Sequence, residues 1–442
     1  MRIAYITAGA AGMYCGSCLH DNTLAAALIR DGHDVSLIPT YTPIRTDEED
    51  VSTGDVFYGA INVYLEQKTS LFRHTPWLVD RMLTHPRLLA WVSKKGSTTD
   101  ARTLGDLTLS MLQGEEGKQR KELERLVRWL RDDLKPDLVQ LTNSLFLGMA
   151  RRIRDELNTP VVCSVQGEDI FFDGLVEPHK SNILALLKQR ARDVDRFIAN
   201  SRFYVDVMAG LLGVSPDRID CVPLGLKLEG HGYPDPPPPA EPFTIGYLAR
   251  ICPEKGLHLL VQAFRELVER GAGDGVRLRV AGYLGERDRA YHEGLVEQVQ
   301  EWGLADRVDF VGEVDRAQKI DFLHSLHVLS VPTVYREPKG LFVLEALANG
   351  VPVIQPGHGS FPEMIKQLGG GVLFAPGDVR ALTDALEGMM RDPGRRIELG
   401  MQGMEAVRRE RGDVAMAGRT IEAYERVLED YRARTGAGGG GA

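Results

Sequence analysis

Short apolar runs rich in Val and Ile alternate along the chain with stretches in which apolar residues recur every three or four positions. The first pattern predicts buried strands and the second amphipathic helices. In the first half, strands are expected at Arg2–Ala8, Asp34–Thr40, Ile61–Glu66, Asp137–Thr142, Pro160–Gln166, Arg196–Asn200 and Asp220–Pro223. Helical stretches such as Asp21–Arg30 and Arg120–Leu134 separate several of them. Near-continuous apolar strands joined through helices predict a parallel sheet covered on both faces.

The alternation stops at Gly230–Pro242, which reads GHGYPDPPPPAEP. Prolines this dense enter neither a helix nor the interior of a sheet, and they make a semi-rigid connector. Beyond it the pattern restarts, with strands at Phe243–Leu248, Val276–Ala281, Val308–Val311, His327–Val331, Val351–Gln355 and Gly371–Ala375. Helices are expected at Gly256–Arg270, Arg289–Glu301, Gln318–Leu326 and Leu341–Asn349. The chain therefore reads as two α/β units: an N-terminal one over 1–229, a linker over 230–242 and a C-terminal one over 243–410. A long final helix follows over 411–435. The tail 436–442, GAGGGGA, is too poor in side chains to pack and is expected to stay disordered.

Residues 41–117 fit the alternation poorly. They hold an acidic cluster, Asp47–Asp50, and an aromatic-bearing helical stretch, Leu71–Trp91. They read either as a helical insertion with a solvated charge run or as a substrate-specific lobe.

Of the 442 residues, 43% are hydrophobic and 26% charged, which is enough for two or three cores. A formal charge of −9 provides no global field for a nucleic-acid backbone, so no nucleic-acid partner is expected. No apolar run reaches the roughly 20 residues of a membrane span. The opening MRIAYITAGAAG reads as a first buried strand rather than a leader, pointing to a cytoplasmic protein. Five cysteines, an odd and small number, fit a reducing compartment.

Three stretches carry candidate chemistry. The first is Glu337-Pro-Lys-Gly-Leu-Phe-Val-Leu-Glu345, just beyond a strand, where open parallel sheets bind ligands. Gly340 lets the chain turn into a helix beginning at Leu341, whose exposed N–H groups favour an anion such as a diphosphate. Glu345 falls on the order of 6 Å along that helix, so the two acids can flank a phosphate site. The alternative is a surface helix with two solvated carboxylates. The second stretch, Arg250-Ile-Cys-Pro-Glu-Lys255-Gly256, sets two cations at another strand end. Arg250 offers a planar fork and Lys255 a point charge, suited to the negative charge that grows on a diphosphate leaving group. The third, Gly9-Ala-Ala-Gly12-Met-Tyr-Cys-Gly16, follows the first strand. It lacks GxGxxG spacing, and no acid closes the second strand, so it reads poorly as a dinucleotide site. As a glycine loop approaching a phosphate or a sugar it stands.

Together with Gly32-His33, Asn200-Ser201 and Pro223-Leu-Gly225, these stretches resemble glycosyltransferase family 4 of the GT-B fold. The likeness covers nearly all of the chain except 41–117 and is closest in the C-terminal half, through Arg250, Lys255, Gly282, Gly312, Glu337, Glu345 and Glu363. It implies two Rossmann-like domains facing across a cleft, with a C-terminal helix crossing back to the N-terminal domain. It further implies a retaining enzyme that uses a nucleotide-sugar donor and needs no metal or other cofactor. On this resemblance Arg250 and Lys255 hold the diphosphate, Glu345 the ribose and Glu337 the hydroxyls of the donor sugar. Gly12, Gly340, Leu341, Gly282 and Gly312 add backbone contacts to the donor. The acceptor is expected on the N-terminal domain, near Gly9, Gly16, Asn143 and Glu168. Its nature stays open among sugar, lipid and small molecule, as do a peripheral membrane contact and the oligomeric state. One departure stands out: where family members commonly carry His, this chain has Gln166, which can donate to a sugar hydroxyl but takes up no proton near neutral pH.

Other signals are weaker. Cys15-Gly-Ser-Cys18 opens a helix, but no second pair accompanies it, so it reads as tight packing rather than zinc or redox chemistry. Asp193-Val-Asp195 precedes a strand and reads as a helix end. His358, in Gly357-His-Gly-Ser360, reads equally as a cleft residue and as a plain loop residue. Three rival functions remain: a nucleotide-sugar epimerase or hydrolase of the same fold, a binding protein that has lost catalysis, and a thiol redox protein.

Overall fold

The computed structural model describes residues 1–9, 16–53, 101–235, 237–238 and 241–436. The expected strand at Ile61–Glu66, the stretch Leu71–Trp91, Gly12, Cys15 and most of the tail lie outside them.

Two units divide the chain: Met1–Gly225 with Asp413–Ala442, and Leu226–Gly412. The first holds a six-stranded sheet in the order β2-β1-β3-β4-β5-β6. Its strands are β1 Arg2–Thr7, β2 Asp34–Pro39, β3 Leu138–Leu141, β4 Val161–Val165, β5 Arg196–Ala199 and β6 Ile219–Cys221. All neighbours pair in parallel. The burial strings of β1, β3 and β4 are nearly unbroken, as expected for strands covered on both faces. One cover is a core running from Ala4 and Ile6 through Leu126, Phe146 and Phe197 to Tyr204. The other packs Ile3, Tyr5, Leu24 and Leu28 against Met416, Tyr424 and Val427 of the final helix, Asp413–Gly436. That helix therefore belongs to the first unit although it closes the chain.

The second unit repeats the design with β7 Phe243–Leu248, β8 Val276–Ala281, β9 Val308–Gly312, β10 Val328–Leu329, β11 Val353–Pro356 and β12 Gly371–Phe374. The order is β12-β11-β10-β7-β8-β9, again all parallel. β10 is shorter than the expected His327–Val331. Only Val328 and Leu329 pair as strand, while Ser330 N still donates to Gly246 O.

The boundary corrects the expectation of a divide at 230–242. The described part of the proline-rich stretch lies inside the second unit, and the chain enters that unit at Leu226. Leu226 N donates to Arg411 O at 2.8 Å, so entry and exit are tied together there. Arg411 and Gly412 consequently stay in the second unit, and the last helix starts at Asp413.

Of the stretch 41–117, Tyr41–Thr53 and Ala101–Gly117 are described. The acidic cluster is not a free charge run: Glu48 accepts from Thr23 Oγ1 at 2.9 Å and the Glu49 carbonyl accepts from Asn22. Asp193 closes a 3-10 turn, as read, and Asp195 takes the Val161 N–H at 2.9 Å.

Candidate active site

In the second unit the site grows from one close approach. Gly256 adopts φ +73°, and a Cβ there would lie 1.9 Å from the Pro332 carbonyl oxygen, so only glycine fits. That contact seats the 3-10 turn Pro253–Lys255 against the segment leaving β10, and Val334 N fastens it by donating to Glu254 O at 2.9 Å. Lys255 thereby reaches Glu337 Oε2 at 2.5 Å and the Tyr335 hydroxyl at 2.7 Å. Its ammonium also lies over the Tyr335 and Phe342 rings. An ammonium has three protons, and two are engaged, which leaves one for a ligand oxygen.

Glu337 is 3% exposed. Its Oε1 accepts from Lys339 N at 3.2 Å and Gly340 N at 3.3 Å, while Oε2 takes Lys255 and the Tyr335 hydroxyl. Burial alone would raise its pKa, but the Lys255 charge and these hydrogen bonds outweigh that and hold it down at about 2. The carboxylate is therefore ionised, and its acceptor positions are filled from within the protein. A sugar hydroxyl would have to displace one of those donors.

Gly340, at φ +65°, begins the helix Leu341–Ala348, and no side chain among the described residues caps it. The first turn keeps donors for an anion. Glu345, 5% exposed, is not solvated. Lys319, on the helix Arg316–His324, pairs with it at 2.6 Å. The two acids thus have separate cationic partners rather than one shared set. Arg250 is partly exposed; its Nε donates to Cys252 Sγ at 3.3 Å and its Nη2 lies 4.0 Å from Glu254. The rest of its five N–H donors have no hydrogen-bond acceptor among the described residues. Gly282, at φ +148°, brings the end of β8 onto the Arg250 loop: a Cβ there would sit 1.8 Å from Ala249 O. Its N–H donates to Gly312 O at 2.8 Å. His358 contacts the Thr333 carbonyl through Nε2 at 3.0 Å, its Nδ1 is buried without a partner among the described residues, and burial lowers its pKa. Gly359 and Ser360 back this loop onto Glu337, whose carbonyl accepts from Ser360 N. Glu363 lies on the next helix, Phe361–Leu368.

The first unit is organised around Asp21, fully buried in the helix Gly16–Arg30. Tyr5, Thr7, Thr142, His20 and Gln166 all direct polar groups onto its carboxylate. Burial favours the neutral acid, yet His20, Thr142 and Tyr5 hold the pKa below the ordinary aspartate value. Gln166, 4% exposed, gives its amide nitrogen to Asp21 Oδ1 at 3.0 Å and to Thr142 O at 3.1 Å. Its amide therefore cannot serve as the free donor expected of it; what remains unpartnered among the described residues is Oε1. Glu168 accepts from Ser144 N at 2.9 Å and Gln166 N at 2.6 Å, and Asn143 caps the turn Ser144–Met149 through Leu145 N. Both act in this structure as loop holders. A Cβ on Gly9 would meet Thr42 O at 1.9 Å, while Gly16, the first helical residue, has open space. Cys18 packs in the apolar core.

Tyr335, Lys319, Asp21 and Tyr204 carry no role in the sequence reading. Asp21 did leave a signal: His20, Asp21, Asn22 and Thr23 are consecutive polar residues ahead of the apolar run Leu24–Leu28, more than one helix face can expose.

Two parallel α/β units, the second with cations and an uncapped helix start at strand ends, define a two-domain α/β protein of nucleotide-binding type. Residues 22–225 match the family model described as Glycosyl transferase 4-like domain, and residues 234–405 the one described as Glycosyl transferases group 1. The chain is thus built from these two glycosyltransferase domains. It is 28% identical over 264 residues to a D-inositol 3-phosphate glycosyltransferase of Nocardia farcinica, covering 57% of each chain. It is 30% identical over 221 residues to a 2-deoxystreptamine glucosyltransferase of Streptomyces kanamyceticus, covering 50% of this chain and 54% of that one. The chain spans little more than half the length of these curated relatives. Among solved structures, HepE of Anabaena in complex with UDP superposes with a TM-score of 0.67 at 17% identity, over 96% of this chain and all of that one. The fold is that of the GT-B glycosyltransferases.

Proposed function

We propose that the chain is a retaining glycosyltransferase that takes a sugar from a nucleoside diphosphate and needs no metal to do so. The observation that carries the reading is the Lys255–Glu337–Tyr335 cluster beside the uncapped start of Leu341–Ala348, with Arg250 on the neighbouring strand end. The diphosphate lies against Lys255, Arg250 and the N–H groups of Leu341 and Phe342. Buried Glu337 fixes the Lys255 ammonium in place, while its remaining proton and the free guanidinium N–H groups serve the phosphate oxygens. In the transfer the bond from the anomeric carbon to phosphate oxygen breaks, and its electron pair stays on the phosphate. The acceptor hydroxyl bonds to the same face of that carbon and passes its proton to the leaving phosphate. Two fixed cations offset the charge that grows there, which is the reason a metal is not required. The UDP bound to HepE supports a uridine donor, and the named relatives support a polyol acceptor.

Isothermal titration with UDP, GDP and ADP sugars tests this. One nucleotide class should bind, and Lys255→Ala should weaken it by about 10- to 100-fold, the worth of a charge-assisted hydrogen bond. Binding of no nucleotide, or binding unchanged by Lys255→Ala, would remove the reading. Product stereochemistry by NMR then decides retention, and activity after exhaustive chelation decides the metal.

A further inference from the structure

The loop that follows β4 has spent its donors and kept its acceptors. Gln166 N is held by Glu168, Gly167 N by the Tyr204 hydroxyl at 2.8 Å, and the Gln166 amide nitrogen by Asp21 and Thr142. The carboxamide cannot be turned over, because its oxygen would then face the Asp21 carboxylate and the Thr142 carbonyl. Two acceptors remain. Gln166 Oε1 is buried with no partner among the described residues. Asp169 receives the Tyr204 hydroxyl on Oδ1 at 2.9 Å, is only partly exposed, and forms no ion pair among the described residues. Burial pushes its carboxyl up, against the pull of the Tyr204 hydrogen bond. A buried acceptor left without a donor is costly, and a half-buried carboxylate without a cation is unusual outside a binding site. Glu168 and Asp173 add further negative charge nearby along the chain, and Ile170 is an exposed apolar neighbour at 38%.

We propose that this loop is the acceptor subsite, in which Asp169 and Gln166 take hydrogen bonds from the hydroxyl or ammonium groups of a ring-shaped acceptor and from which phosphate groups are excluded. The inference rests on the transferase reading and narrows it. The loop needs donors, and polyols and amines supply them. A phosphate brings only acceptors and charge of the wrong sign, so an anionic acceptor would have to place its phosphate elsewhere. The exposed Ile170 side chain suits the C–H face of such a ring.

Titration calorimetry on the full chain tests this with myo-inositol, 2-deoxystreptamine and inorganic phosphate as probes, and with UDP, GDP and ADP as controls. Myo-inositol or 2-deoxystreptamine should bind, and phosphate should not compete with it. Asp169→Ala should weaken that binding by about 10- to 100-fold, as for a lost hydrogen bond to a charged group. It should leave nucleotide affinity and the unfolding midpoint unchanged, which a merely structural role would not. If nucleotide binds while neither ring compound does, or if Asp169→Ala leaves ring affinity unaltered, the subsite falls and the transferase reading stands. If no nucleotide binds either, both fall.

Discussion

Replacing Glu337 with glutamine isolates the charge of the Lys255–Glu337 pair from its shape. The amide keeps an oxygen for Lys339 N and Gly340 N but leaves the Lys255 ammonium, 18% exposed in its side chain, with only the Tyr335 hydroxyl. The wild-type carboxyl is held at about 2 against an ordinary value of 4.5. A lowered acid pKa means that the folded state prefers the ionised form, so the contribution is complete above about pH 4.5 and drains away as pH falls toward 2. At neutral pH it amounts to roughly 3 kcal/mol. Breaking a buried ion pair from one side costs about 3–5 kcal/mol, which agrees. For a unit the size of Leu226–Gly412, roughly 3 kcal/mol corresponds to a fall in midpoint of about 6–12 °C. Denaturant unfolding followed by circular dichroism at pH 7, 5 and 3 reads the effect. The gap between the two proteins should be equal at pH 7 and 5 and shrink to less than half at pH 3. A variant as stable as wild type at pH 7, or a gap unchanged at pH 3, would refute the argument.

Three further outcomes follow from the same geometry. Glu345→Gln takes the carboxylate away from the buried Lys319 and should cost about 3–5 kcal/mol in denaturant unfolding at pH 7, whereas combining Glu345→Gln with Lys319→Met should recover most of it. Gly282→Ala, at φ +148° and with a Cβ 1.8 Å from Ala249 O, should cost more than about 2 kcal/mol and weaken nucleotide binding by shifting the Arg250 loop; denaturant unfolding checks the first and titration calorimetry the second. Asp21→Asn should lose roughly 3 kcal/mol at neutral pH in the same unfolding assay, since an amide accepts fewer of the surrounding hydrogen bonds. Because the Asp21 pKa is lowered, that loss should narrow only as pH falls below the ordinary aspartate range.

What was legible in the sequence depended on whether local pattern or tertiary contact decided it. The strands of both units could be read because a parallel sheet covered on both faces demands unbroken apolar runs, as in Val161–Val165 and Phe243–Leu248. Gly256 and Gly340 could be placed at helix starts because strand-end turns call for left-handed residues. The domain boundary misled for the opposite reason. Prolines between Gly230 and Pro242 mark an irregular segment, but the divide is set by a pairing, Leu226 with Arg411 and Gly412, between residues far apart in the chain.

The partnerships of the charged residues were hidden in the same way, and they change what each residue can do. Glu337 and Glu345 look equivalent in sequence, eight residues apart on one motif. Spacing gives no hint that the first meets Lys255, brought over by the Gly256–Pro332 contact, and the second Lys319, brought over by a neighbouring helix. Lys319 alone reads as one more solvated helix lysine, yet it is 7% exposed. Gln166 is the sharpest case. Read by residue type, it is a histidine substitute with an amide to donate. With Asp21 holding that amide, it is an acceptor fixed in one orientation and indifferent to pH. A neutral, locked acceptor in place of a titrating ring makes the first unit's ligand preference depend on donors in the ligand rather than on protons in the solvent.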